Sequence, residues 1–153
     1  MVRLVIYLLV CSFFTGCSWL NEFFVFNATG TTIALRYSEG VNYNSGNSVT
    51  SPKAYAITSW ENSVPQLGDT VSVYCRIEHD TVRYVELPTN TALVLMESIN
   101  KDLRSDSACK MMLSQFHYLE AQKPNDGLYI CHGAACFSDL VKINRSRAGI
   151  KIR

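Results

Sequence analysis

From Thr70 to Glu78 the chain alternates apolar and polar residues without a break. Val71, Val73, Cys75 and Ile77 fall on one side, and Ser72, Tyr74, Arg76 and Glu78 on the other. A period of two belongs to an extended strand with one face on a core and one in water. His79-Asp80 then supplies a two-residue turn into a partner strand, Thr81 to Leu87. Phe23 to Phe26 leads through Asn27-Ala28-Thr29-Gly30 into Thr31 to Tyr37, which predicts a hairpin. Its second strand would put Ile33, Leu35 and Tyr37 inward and Thr32 and Arg36 outward. Further strand signals lie at 54–60, 92–98, 128–131, 140–143 and 148–152.

One segment has a different period. Ala108, Met112, Phe116 and Leu119 recur at helical spacing before Pro124, which predicts a helix over about 107–121. Lys123-Pro124-Asn125-Asp126-Gly127 turns the chain back into a strand. Short strands with one helical insertion and no βαβ alternation predict a mainly β protein. The expected fold is an antiparallel β-sandwich of about eight strands with one short helix.

The N-terminus carries a different message. Met1-Val2-Arg3 gives one positive charge, Leu4 to Phe14 is an eleven-residue apolar run, and Thr15-Gly16 precedes Cys17. A charged start, a short apolar run and small residues at the cut describe a secretory signal. Phe14-Thr15-Gly16-Cys17 resembles the lipobox of bacterial lipoproteins. That resemblance implies cleavage after Gly16 and diacylation of the Cys17 thiol, with a further acyl group on the new amine. Ser18, where inner-membrane lipoproteins often carry Asp, points by the same resemblance to the outer membrane or cell surface. The alternative is an uncleaved anchor over Leu4 to Leu20, at the low end of what spans a bilayer. The expected organisation is therefore a signal at 1–16, a short membrane tether at 17–22 and one β-rich domain at 23–153. The tether has no Gly/Ser or Pro-rich stalk, so the domain should sit against the membrane, with Trp19 and Leu20 near the interface.

Charge excludes one class of partner. The chain has 14 basic and 13 acidic side chains, and losing Arg3 with the signal leaves the domain balanced. A neutral domain has no field to gather nucleic acid. One asymmetry remains: after Asp139 come Lys142, Arg145, Arg147, Lys151 and Arg153, and no carboxylate. A solvated strand face explains it, and so would contact with anionic lipid headgroups.

Setting aside Cys11 in the signal and Cys17, four cysteines remain: Cys75, Cys109, Cys131 and Cys136. An even number in an exported domain favours disulfides, and four allow three pairings. Cys75–Cys109 would pin the helix to the sheet, and Cys131–Cys136 would close a small loop. The competing reading is a metal site built on Cys131, His132 and Cys136 with His117 as a fourth ligand. No Gly-x-Ser-x-Gly elbow, P-loop, His-Glu-x-x-His or dinucleotide fingerprint occurs, so catalysis, a resident metal and a cofactor are not expected.

The longest irregular segment, 38–52, is rich in Ser, Asn and Gly. Its Asn42, Tyr43, Asn44 and Asn47 offer adaptable hydrogen bonds around one stacking surface. The leading expectation is a lipid-anchored binding or structural module of the bacterial envelope. It would be held in the bilayer through acylated Cys17 and would meet an envelope protein or glycan through that loop. A small exported enzyme or metal-binding protein is the alternative. A secreted eukaryotic protein glycosylated at Asn27-Ala28-Thr29 and Asn144-Arg145-Ser146 is the third reading.

Overall fold

The computed structural model describes residues 19–39, 52–78, 82–99, 101–114, 116–123 and 127–153. Among the described residues, eleven strands form two sheets. The strands are β1 (Leu20–Asn27), β2 (Ile33–Glu39), β3 (Ala54–Glu61), β4 (Val64–Val71), β5 (Tyr74–Ile77), β6 (Val82–Leu87), β7 (Thr91–Ile99), β8 (Phe116–Lys123), β9 (Gly127–Cys131), β10 (Leu140–Lys142) and β11 (Arg147–Ile152). Helix α1 (Asp106–Leu113) separates β7 from β8, and a 3-10 helix (Gly133–Asp139) separates β9 from β10. The first sheet runs β10-β11-β1-β7-β3-β4 and the second β5-β6-β2-β8-β9. The mainly β sandwich expected from the sequence is thus present.

The core lies between the sheets. Phe23, Val25, Leu93 and Ile150 of the first sheet meet Ile33, Leu35, Val85 and Leu119 of the second, all essentially inaccessible to water. Met112 and Leu113 of α1 close one side. β1 occupies the middle of its sheet, between β11 and β7, and every residue from Asn21 to Asn27 is buried. That is why its aromatic run does not alternate: both faces of this strand are covered.

Four expectations are corrected. The helix ends at Leu113, and Phe116–Lys123 is a strand between β2 and β9. Ala108 and Met112 do lie in the helix, and Phe116 and Leu119 continue their spacing past its end. Pairing with two neighbours decides in favour of the strand, which buries Leu119 and Ala121 while Glu120 and Gln122 face outward.

The segment Thr70–Glu78 is not one strand. It breaks at Ser72–Val73, where the chain leaves β4 in the first sheet and enters β5 in the second. Val71, Val73 and Cys75 still pack against the core, but Ile77, at the sheet edge, is exposed.

The aromatic run and Ile33–Glu39 do not pair as a hairpin, because β1 and β2 lie in different sheets. Asn27 fixes that crossing. Its side-chain amide donates to the carbonyls of Thr31, Leu87 and Pro88 at 2.8–2.9 Å, and its side-chain oxygen accepts from Thr29. A residue so occupied and wholly buried is no acceptor for a glycan in the folded chain.

The sheet is also not purely antiparallel, since β1 runs parallel to β11. β1 itself begins at Leu20.

Candidate functional site

Several sequence-derived candidates fall outside the described residues: Cys17 and the loop residues Asn42, Tyr43, Asn44 and Asn47. The other four candidate cysteines, Cys75, Cys109, Cys131 and Cys136, are among the described residues. Cys131 and Cys136 form a disulfide with their Cα atoms 5.2 Å apart, as expected. Cys75 and Cys109 do not bridge, which corrects the second pairing. Cys75 lies on β5 at one edge of the second sheet, whereas α1 packs against the 3-10 helix that follows β9 at the other edge. A disulfide needs the two Cα atoms within about 7 Å. The Cys109 thiol instead donates to the Leu103 carbonyl at 3.1 Å, and burial pushes its pKa up, which keeps it protonated and unreactive. The Cys131–Cys136 bridge also removes both thiolates from the alternative metal set. No group of three potential metal ligands occurs among the described residues.

The outward face of each sheet is the remaining place for a site, and the two differ. On the first sheet, Glu22, Phe24 and Phe26 of β1 point away from the inter-sheet core, yet all three are buried. Phe24 and Phe26 stack with ring centroids 5.5 Å apart, and Tyr55 and Trp60 meet them edge-on. Leu67 from β4 and Val141 from β10, at opposite edges of the sheet, join the same cluster, so the sheet curls over its own outer face. Gly149 on β11 makes this possible. A Cβ there would lie 2.4 Å from the Phe24 carbonyl oxygen and 2.6 Å from the Phe26 ring.

At the end of the slab the Glu22 carboxylate, 5% exposed, accepts from Lys53 at 2.5 Å, Arg147 at 2.9 Å and the Tyr55 hydroxyl at 3.2 Å. Burial alone would raise its pKa. The hydrogen bonds and charges of Lys53 and Arg147 outweigh that and hold it below the usual carboxylate range. This face is a second core with an ionic end.

The outward face of the second sheet is open. Its register builds two transverse rows. Arg76, Tyr84, Arg36, Glu120 and Ile130 form one, and Tyr74, Glu86, Ala34, Gln122 and Leu128 the other. Arg36 is the centre of the first row. It donates to Glu78 and to Glu120, each at 3.0 Å, and its guanidinium lies 5.5 Å from the Tyr84 ring centre. Arg76 covers the same ring at 4.3 Å and donates to Glu78 at 2.6 Å. These bonds, from Arg76 first and then Arg36, hold the Glu78 carboxyl below its ordinary range.

Tyr84 is thereby fixed in orientation, with Tyr74 edge-on beside it. In the second row the small side chain of Ala34 leaves a shallow depression of about 250 Å³, walled by Thr32, Tyr84, Glu86 and Gln122. Apolar side chains flank the charged centre at both edges of the sheet. Tyr74 stands on β5, and Leu128 (52% exposed) and Ile130 (49%) on β9.

A rigid polar centre, one depression and two apolar margins form a surface suited to recognition. Sequence reasoning places Arg36, Tyr74, Arg76 and Glu78 on outward faces correctly. It misses Glu120, assigned to the helix, and the pairing that brings these side chains into rows. Glu22 carries no local signal, because its partners lie at positions 53 and 147. No family model matches this chain, and no curated protein or solved structure matches it either.

Proposed function

We propose that this chain is a lipid-anchored binding module of the bacterial cell envelope. In this reading residues 1–16 are a cleaved signal, Cys17 carries the acyl chains, and the second sheet presents its open face to an envelope protein or glycan. The observation that carries the proposal is the sequence Phe14-Thr15-Gly16-Cys17 directly after an eleven-residue apolar run. The fold is compatible with it. β1 starts at Leu20, so a chain tethered at Cys17 has two residues before the first described side chain, Trp19. The open face supports binding over catalysis: Arg36, Arg76, Glu78 and Glu120 at its centre are paired with one another. Tyr74, exposed at the sheet edge, suits stacking on a sugar or an aromatic side chain, and Leu128 and Ile130 suit apolar contact.

Anchoring is tested with an alkyne fatty acid fed to cells making the full chain. Label should appear on the wild type and vanish in Cys17→Ala, which should also leave the membrane fraction or retain its signal. Stable attachment requires at least two acyl chains, so the loss should be complete. An unlabelled wild type, or equal label on the variant, rejects the lipoprotein reading.

A further inference from the structure

We infer that the end of the sandwich where β1 begins is a second working surface, one that rests on the bilayer and binds anionic lipid headgroups. The inference builds on the lipoprotein reading and adds to it an orientation and a lipid class.

Three loops or strand ends meet at that end, and Asn21 ties them together. Its amide donates to the Lys101 carbonyl at 2.6 Å, and its side-chain oxygen accepts from the Lys101 backbone N–H at 2.8 Å. The Leu103 N–H donates to the Arg145 carbonyl at 2.8 Å, and the Glu22 N–H to that of Ser146 at the same distance. The segments 101–105 and 144–146 are therefore held on either side of the start of β1. Trp19 donates its indole N–H to Lys101, and the Arg145 guanidinium stacks 3.7 Å from the Trp19 ring centre. Leu20 beside them is 50% exposed.

The charge of this end is positive. Lys101, Arg104, Lys142 and Arg145 gather there, against Asp102 and Asp106. Asp102 bonds Arg104 through both oxygens and is held at about 2, so it stays ionised at every physiological pH and offsets one guanidinium. Asp106 pairs with Lys142, whose ammonium also donates to the Arg104 carbonyl. Arg145 also reaches Asp102, at 4.0 Å, so these four cations exceed the two acids by two charges. Glu22 behind them is buried and neutralised by Lys53 and Arg147.

Two facts choose the bilayer as occupant. Cys17 precedes Trp19 by two residues, so the acylated residue lies at most about 7 Å of chain from it. A tryptophan, an exposed leucine and a cluster of cations beside an acyl anchor is the composition that rests at a lipid–water interface. The basic C-terminal stretch noted in the sequence is in this way divided. Lys142 and Arg145 face the membrane end, whereas Lys151 pairs with Phe26 in the sheet and covers Trp60 at 3.7 Å.

The test uses the full chain as processed by the cell, reconstituted into phosphatidylcholine vesicles with or without phosphatidylglycerol. An amine-reactive acetylating reagent and mass spectrometry then read each lysine. Lys101 and Lys142 should label several-fold less on the anionic vesicles, and high salt should restore them. Lys151 should label equally on both. The Arg104→Glu/Arg145→Glu pair should abolish the protection, at about fivefold per basic residue lost. If that pair does not fold, the comparison of wild type on the two vesicles still decides. Equal labelling of Lys101 and Lys142 on both vesicles, or detachment from the anionic ones, overturns the inference. The mass of the Cys17 peptide in the same digest reports acylation separately, so a missing anchor and an indifferent surface are told apart.

Discussion

Phe26 and Leu128 both point away from the core between the two sheets, yet Phe26 is 0% exposed and Leu128 52%. The difference comes from how each sheet ends. In the first sheet, β3 and β4 form a hairpin with two register shifts, turned at Asn62 and Ser63, which both adopt positive φ. Such irregularities bend a strand pair, and here they carry Trp60 and Leu67 over the aromatic residues of β1. The second sheet has no equivalent flap among the described residues. Its outward residues are held instead by cross-strand ion pairs and two guanidinium–ring contacts. One outer face has become core, and the other is left to meet something else.

The sharpest way to break this comparison is Phe26→Ala. If the outer face of the first sheet is a true second core, the loss should be about 3–5 kcal/mol by chemical denaturation. A change under about 1 kcal/mol would mean the slab is surface decoration. Glu22→Gln probes the ionic end of the same slab. At neutral pH it should cost about 2 kcal/mol, discounted because Lys53 and Arg147 keep more than a third of their side chains in water.

Its pH dependence carries a sign. The folded carboxyl lies below its unfolded value, so its stabilisation is full above that unfolded value and disappears as pH falls through the folded one. Wild type and Glu22→Gln should therefore converge in stability as the solution is acidified. A gap that stays constant down to strongly acid pH would assign the effect to packing. The smallest expected effect belongs to the open face. Leu128→Ser with Ile130→Ser should change stability by no more than about 0.5 kcal/mol each, because neither is buried. A larger loss would show that these side chains are covered within the folded chain.

How far the sequence could be read follows the same division. Strands with one buried face, such as Ile33–Glu39 and Val82–Leu87, announce themselves by alternation, and the small loop at Cys131–Cys136 by spacing. β4 escaped because Pro65, Gly68 and Asp69 read as breakers, although an edge strand with irregular pairing tolerates all three. β8 escaped because Phe116 and Leu119 continue the helical spacing of Ala108 and Met112 past the end of α1.

The pairing of β1 with a strand 125 positions later, and the crossing between sheets at Asn27, depend on contacts between distant residues. No local window contains them. The same holds for the candidate surface. Arg36 and Glu78 are legible as outward residues, but their convergence with Glu120 and Tyr84 requires the strand order β5-β6-β2-β8.

The most direct test of the contrast between the two faces is site-specific photocrosslinking in intact cells. A photoreactive amino acid is placed at Ile130 on the open face or at Ser59, exposed on β3 of the first sheet. The open-face account predicts higher-mass adducts on irradiation from position 130 and none from position 59. Adducts from position 59 with none from position 130 would contradict it, and would move the working surface to the curled sheet.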